Sequence, residues 1–220
     1  MIRTHRLAVT LAVAGLLATL AGCGSGPVGS RGGATAAAGT AGQAARDGDL
    51  AAARDRAGLA PCPVPVPGPG ISPAAAGGGD GLPDVTLPCL AGGPAVPLAG
   101  PPGVPTVVNV WATWCLSCRQ EMPAFQRLAD RAGGRLRVLG VDSEDPSMAE
   151  SLAFLTAVKV RFPSVYDVNG AVRTARRVPG LPFTMFVRSD GQIASVHVGA
   201  LDDAALAAAV REQLGVPAGG

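Results

Sequence analysis

Cys115 and Cys118 stand two residues apart inside Val108-Asn109-Val110-Trp111-Ala112-Thr113-Trp114-Cys115-Leu116-Ser117-Cys118-Arg119-Gln120-Glu121-Met122-Pro123, where a β-branched apolar run gives way to a helix-forming one. Disulfide exchange needs one accessible thiolate to attack and a second thiol to resolve the mixed disulfide, and a three-residue separation along a helix supplies both. At the helix amino terminus, unpaired backbone N–H groups and the helix dipole would favour the Cys115 thiolate and lower its pKa. Cys118 would fall one turn later, facing inward. The same pair could form half of a zinc site, but tetrahedral zinc wants two further ligands. The candidates are His197, Cys62 and Cys89, all distant in sequence, because His5 falls in the leader. The expectation is a redox pair with no metal and no cofactor.

Five cysteines are an odd number for an exported chain. Arg3, His5 and Arg6 precede an apolar run from Leu7 to Leu20 and then Ala21-Gly22-Cys23, the layout of a signal peptide over 1–22. The run is short for a bilayer span, which needs about 20 residues. Leu20-Ala21-Gly22-Cys23 resembles the bacterial lipobox, which implies lipid attachment at Cys23. Four cysteines then remain and allow three connectivities. Cys115 and Cys118 are near enough along the chain to pair, which leaves Cys62 for Cys89. That bond would close a loop of about 26 residues and stabilise the fold by roughly 3–4 kcal/mol in an oxidising compartment.

These residues need a scaffold, and not all of the 220-residue chain can supply it. The 31 glycines and 20 prolines crowd between positions 24 and 105. Residues 23–60 read as a flexible Ala/Gly-rich spacer, in which the alanines of Ala41 to Ala60 favour a transient helix with no broad apolar face to bury it, and 61–81 as a Pro/Gly-rich segment that would break a helix or a ladder. From 82 to 216 the pattern is that of an α/β domain. Val85 to Leu90 and Ala95 to Leu98 are candidate edge strands. Thr106 to Trp111 reads as a buried central strand followed by a helix from Leu116, and Arg135 to Val141 as a second central strand. Asp145 is placed as the cap of the next helix, with Pro146 in its first turn. Asp142, Glu144 and Asp145 follow the second central strand on the carboxyl side, where open α/β sheets place their sites, but capping and solvation account for them. Ser189-Asp190-Gly191 joins two strands as a hairpin, and a helix over Leu201 to Leu214 closes the domain.

The stretch Trp111 to Cys118, with Pro123 five residues after the second cysteine, resembles the active-site segment of the thioredoxin superfamily. Within that superfamily it resembles the membrane-tethered TlpA/ResA-like thiol-disulfide oxidoreductases. The resemblance implies a thioredoxin fold, a central mixed β-sheet flanked by helices, here with an amino-terminal strand/hairpin extension. It also implies that Glu121 manages protons at the cysteine pair, as the glutamate of that group does. Cytoplasmic thioredoxins usually carry a buried aspartate where this chain has Asn109. Gly180-Leu181-Pro182-Phe183-Thr184 is similar to the family's cis-proline loop. Pro182 would then shape the substrate groove, with the Leu181 backbone offered to an extended peptide. Trp111 is expected in the core, and Trp114 on a partly exposed rim that touches substrate.

Loss of the leader removes two of the 18 basic residues and leaves 16 against 16 acidic ones. No basic field remains to attract nucleic acid. The expected partners are thiols and disulfides of exported proteins, a membrane redox partner, and the membrane itself through lipid, with the domain on the outer face of the cytoplasmic membrane. The reaction could run as a reduction, for example of apocytochrome c before haem attachment, or as an oxidation of folding proteins. Two other readings stand beside it. A thiol peroxidase would want Pro-x-x-x-Thr/Ser-x-x-Cys before Cys115, which is absent. A copper-delivery protein of the same fold would want Cys-x-x-x-Cys and a distal histidine.

Overall fold

The computed structural model describes residues 34–63 and 81–217, with side chains from residue 46 onward. The signal peptide, Cys23 and most of the 61–81 segment lie outside the described residues. Elements follow in the order α1 (Ala34–Ala57), β1 (Thr86–Leu87), β2 (Val96–Pro97), β3 (Thr106–Trp111), α2 (Leu116–Arg131), β4 (Arg137–Ser143), α3 (Met148–Ala157), β5 (Ser164–Asp167), α4 (Ala171–Arg176), β6 (Phe183–Val187), β7 (Ile193–Val198) and α5 (Asp203–Leu214). Among the described residues no helix is long and apolar enough to cross a membrane.

Five strands form one mixed sheet in the order β5-β4-β3-β6-β7. The first three run parallel, and β6 and β7 turn antiparallel. Strand β3 is buried at every position because it is covered on both faces, which is why its sequence is continuously apolar rather than alternating. Its period of two divides it between two cores. Val107 and Trp111 face Phe125 and Leu128 of α2, Leu152 and Leu155 of α3, and Leu206 and Val210 of α5. Val108 and Val110 face Leu87, Val96 and Val172 on the opposite side, where the β1–β2 hairpin and α4 lie. The expected amino-terminal hairpin is thus present as an antiparallel pair covering the second face. At the β6–β7 turn Gly191 has φ 92°, and a Cβ there would come within 2.7 Å of the Gly100 carbonyl oxygen, so only glycine fits.

The structure departs from the expected spacer near residue 60. Ala53 and Ala57 of α1 are buried in the first core, and Leu50 packs against it. Arg54 Nε donates to the Leu90 carbonyl at 3.1 Å, and the Ala60 amide donates to the Arg161 carbonyl at 2.8 Å. Small alanine side chains let the helix backbone approach closely, so a narrow stripe suffices without a broad apolar face.

Cys62 and Cys89 are joined by a disulfide. It fastens this docked segment to the outer edge of β5, where Cys89 bridges Val165 and the amide of Leu90 donates to the Ser164 carbonyl at 2.9 Å. The 88–90 segment thereby occupies an edge that would otherwise offer free ladder groups. Replacing both cysteines with alanine is expected to lower stability by about 3 kcal/mol. The check is the midpoint of chemical denaturation, with the Cys115–Cys118 pair kept oxidised throughout.

Candidate functional site

Strand β3 ends at Trp111, and the chain turns through Ala112, Thr113 and Trp114 before α2 begins. Cys115 is the amino-terminal cap of α2, in extended backbone conformation, and its Sγ accepts the Cys118 amide at 3.2 Å. The two cysteines form a disulfide with Cα atoms 5.3 Å apart. Cys118 is wholly buried and Cys115 is 6% exposed, whereas the flanking Trp114 and Leu116 are 62% and 71% exposed. The pair therefore ends in one sulfur at the surface and one beneath it, inside an apolar rim. In the dithiol form, the amide that bonds Cys115 Sγ would stabilise a thiolate there.

Glu121 lies one turn beyond Cys118 and is 2% exposed. Its carboxylate accepts Asn109 Nδ2 at 2.8 Å and the Leu201 amide at 3.1 Å. Burial pushes its pKa up to about 7, against the opposing effect of those two hydrogen bonds. A carboxyl that changes charge near neutrality beside a cysteine pair can both take and return a proton. Asn109 was not singled out from the sequence as Glu121's partner. The available signal was a polar residue within a wholly apolar central strand, which must find a hydrogen bond when buried.

The Leu181–Pro182 peptide bond is cis. Pro182 immediately precedes β6, whose Phe183 stands opposite Val110 in the antiparallel register. One further step places Pro182 beside Trp111, at the end of β3 that leads into Cys115. Leu181 is half-buried and packs against both cores. Trp111 is fully buried and stacks on Phe154, with ring centroids 5.1 Å apart, and the Arg119 guanidinium caps the other partner at 4.7 Å from the Phe154 ring. Cys62 and Cys89 do not join this site. They lie at the β5 edge, with β4 between that strand and β3.

The sequence placed Asp145 as a helix cap, and the structure corrects this. Ser147 caps α3, its side chain accepting the Glu150 amide. Asp145 is instead 1% exposed, and its carboxylate accepts both the amide and the hydroxyl of Thr113, at 2.8 and 2.7 Å. Asp142 is fully buried as well and is not solvated. The local apolar pattern ends at this point of the chain, so the sequence gives no sign that these carboxyls turn inward.

A family model described as the AhpC/TSA family matches residues 79–196, which include the whole cysteine loop and the cis-proline strand. The chain belongs to the AhpC/TSA family. It is 33% identical over 125 residues to the thioredoxin-like protein YneN of Bacillus subtilis, an alignment covering 56% of this chain and 72% of that one. It is 32% identical over 126 residues to the thiol:disulfide interchange protein DsbE of Pseudomonas fluorescens, covering 57% and 68%. Among solved structures, one from Chlorobium tepidum described as a thiol:disulfide interchange protein DsbE superposes with a TM-score of 0.54 at 26% identity, covering 64% of this chain and 97% of that one. The thioredoxin fold and the resemblance drawn from Trp111 to Cys118 are borne out. The chain is a thiol-disulfide oxidoreductase.

Proposed function

We propose that this oxidoreductase is held by lipid on Cys23 at the outer face of the cytoplasmic membrane and exchanges disulfides with exported proteins, with Cys115 attacking and Cys118 resolving. The observation that carries the assignment of roles is the asymmetry of the pair: Cys115 reaches the surface within the Trp114 and Leu116 rim, and Cys118 has no exposed surface.

In the reducing direction the Cys115 thiolate attacks a substrate disulfide, forming a mixed disulfide and releasing one substrate thiolate. Cys118 then gives its proton to the Glu121 carboxylate and attacks Cys115 Sγ, which expels the second substrate thiolate. Two electrons pass to the substrate and the Cys115–Cys118 disulfide remains. A membrane dithiol must then restore the pair. Run backward, the same steps oxidise a substrate dithiol, and Glu121 returns its proton to Cys118. The apolar rim of Trp114 and Leu116 suits the side chains of an incompletely folded protein, and the Leu181 backbone before the cis bond suits its extended main chain.

A Cys118→Ser chain expressed with its leader is expected to accumulate mixed disulfides with exported proteins, visible as high-mass bands that dithiothreitol removes. Adding Cys115→Ser should erase them. Equal bands from the double variant would assign the attack to another residue. Palmitate labelling of the wild type, lost in Cys23→Ser, tests the anchor separately.

A further inference from the structure

We propose that Asp145, backed by Asp142, is a positioning residue for disulfide exchange: its carboxylate clamps Thr113 and thereby fixes the turn that delivers Cys115 to the amino terminus of α2. This rests on Cys115 being the attacking residue. Each oxygen of Asp145 accepts from Thr113, Oδ2 from its amide and Oδ1 from its hydroxyl. Thr113 is two positions before Cys115, in a segment that belongs to no helix or strand and so has few ladder bonds of its own.

The loop bearing Asp145 is itself held from several sides. The Tyr166 hydroxyl donates to the Asp145 carbonyl at 2.8 Å. Glu144, one residue earlier, has φ 62°, a left-handed conformation that a non-glycine residue adopts only when its surroundings impose it. Those surroundings are the Asp167 carbonyl, which accepts the Glu144 amide at 3.0 Å, and Arg173, which donates to both Glu144 carboxylate oxygens at 2.9 and 2.8 Å. A backbone strained one residue before a buried carboxylate aimed at the nucleophile's loop is the pattern of a group held in place for function.

Asp142 stands behind. It pairs in register with Trp111 at the end of β3 and accepts a hydrogen bond from the Ser151 hydroxyl. Burial first, and then the neighbouring Asp145 carboxylate, raise its pKa to about 9, so near neutrality it keeps its proton, and its buried Oδ1, which accepts no hydrogen bond, is the oxygen that can donate it to Asp145. Asp145 and Asp167 are the charged groups that act on it, and the neighbouring Tyr166 is influenced by Asp142, Asp145 and Glu150. Ser151, Asp142 and Asp145 are thus buried behind the half-buried Thr113 of the active-site turn.

The test uses the full chain and compares Asp145→Asn, Thr113→Val and their double variant. Three readouts are taken on the folded protein: the rate of exchange with oxidised glutathione, the pH dependence of Cys115 alkylation, and the equilibrium constant with glutathione. An asparagine keeps one acceptor for the Thr113 amide but loses the charge, and the Thr113 hydroxyl must turn from donor to acceptor to meet the new amide; the weakened clamp is expected to slow exchange by about 10- to 100-fold and to displace the alkylation profile. Thr113→Val should act in the same sense, and the double variant should be no slower than the worse single one, since both break the same contact. Asp142→Leu should also slow exchange, and Asp142→Asn, which still offers Asp145 a donor, should recover most of the rate. Loss of stability with unchanged rate, profile and equilibrium would reduce Asp145 to a structural residue and overturn the proposal. If Asp145→Asn does not fold, Thr113→Val decides by the same readouts. A wild-type chain that fails to exchange with glutathione would instead overturn the functional reading on which the proposal rests.

Discussion

A Cys115→Ser chain is expected to lose disulfide exchange by more than about 1,000-fold, the scale seen when a sole nucleophile is removed. Serine matches cysteine in shape, so the cap of α2 survives through its hydroxyl, but an alcohol forms no thiolate near neutrality and no disulfide at any pH. The fold should be retained, because the Cys62–Cys89 bond and the sheet do not involve this sulfur and Cys115 lies at the margin of the first core, where serine is nearly isosteric. Cys118→Ser should behave differently. The surface thiol remains, the first step proceeds, and the reaction stops at the mixed disulfide. Measured by reduction of a protein disulfide, both variants are inactive in turnover; measured by single-turnover capture, only Cys118→Ser reacts. Capture by Cys115→Ser alone would mean that the two sulfurs have exchanged roles, and equal capture by both that either can attack.

Glu121→Gln is expected to separate activity from stability, moving them in opposite directions. The carboxyl is pushed up to about 7 by burial, so its proton is bound in the fold over a range where an unfolded chain has released it. Stability therefore falls as pH rises from about 4.5 to about 7 and is level above, with a total on the order of 3 kcal/mol. Glutamine stays neutral and escapes that loss. It can accept from only one of Asn109 Nδ2 and the Leu201 amide, so the variant's gain above pH 7 should be smaller, on the order of 1–2 kcal/mol. Its activity moves the other way. The wild-type rate of resolution should rise with pH through an inflection near 7 as Glu121 becomes able to take the Cys118 proton. In the variant that inflection should vanish and the rate at pH 7 should fall by about 100-fold. Single-turnover release of substrate from the mixed disulfide, followed from pH 5 to 9, measures the first effect and urea titration the second. An unchanged inflection near pH 7 in Glu121→Gln would show that another group manages the proton.

The residues that announce the chemistry were legible because their spacing carries the mechanism. A thiol pair three residues apart, at the junction of an apolar run and a helix, can be read without coordinates, and the Pro182 loop follows from the same resemblance. The central strands were legible too: β3 is covered on both faces and its sequence is uniformly apolar. Where the reading fell short, the missing information was tertiary. The burial of Ala53 and Ala57 depends on how closely a helix of small residues can approach a surface formed by α2 and α3, and alanine carries little amphipathic signal. Asp142 and Asp145 have the polarity of a solvated loop and lie where a helix cap was expected. Only the arrangement of Thr113, Ser151 and Tyr166 around them turns them inward. Asn109 shows the same limit, since its partner Glu121 sits twelve residues away on the helix that crosses β3.

The most direct test of the central claim is equilibration of the full chain with graded mixtures of reduced and oxidised glutathione, reading the redox state of Cys115 and Cys118 by thiol labelling while the Cys62–Cys89 bond stays closed. One reversible two-electron transition is expected, confined to that pair and lost in Cys115→Ser. A potential near about −270 mV would mark a reductant fed by a membrane donor, and one near about −120 mV an oxidant of exported thiols. A pair that stays in one state across the whole range would contradict a role in thiol-disulfide exchange.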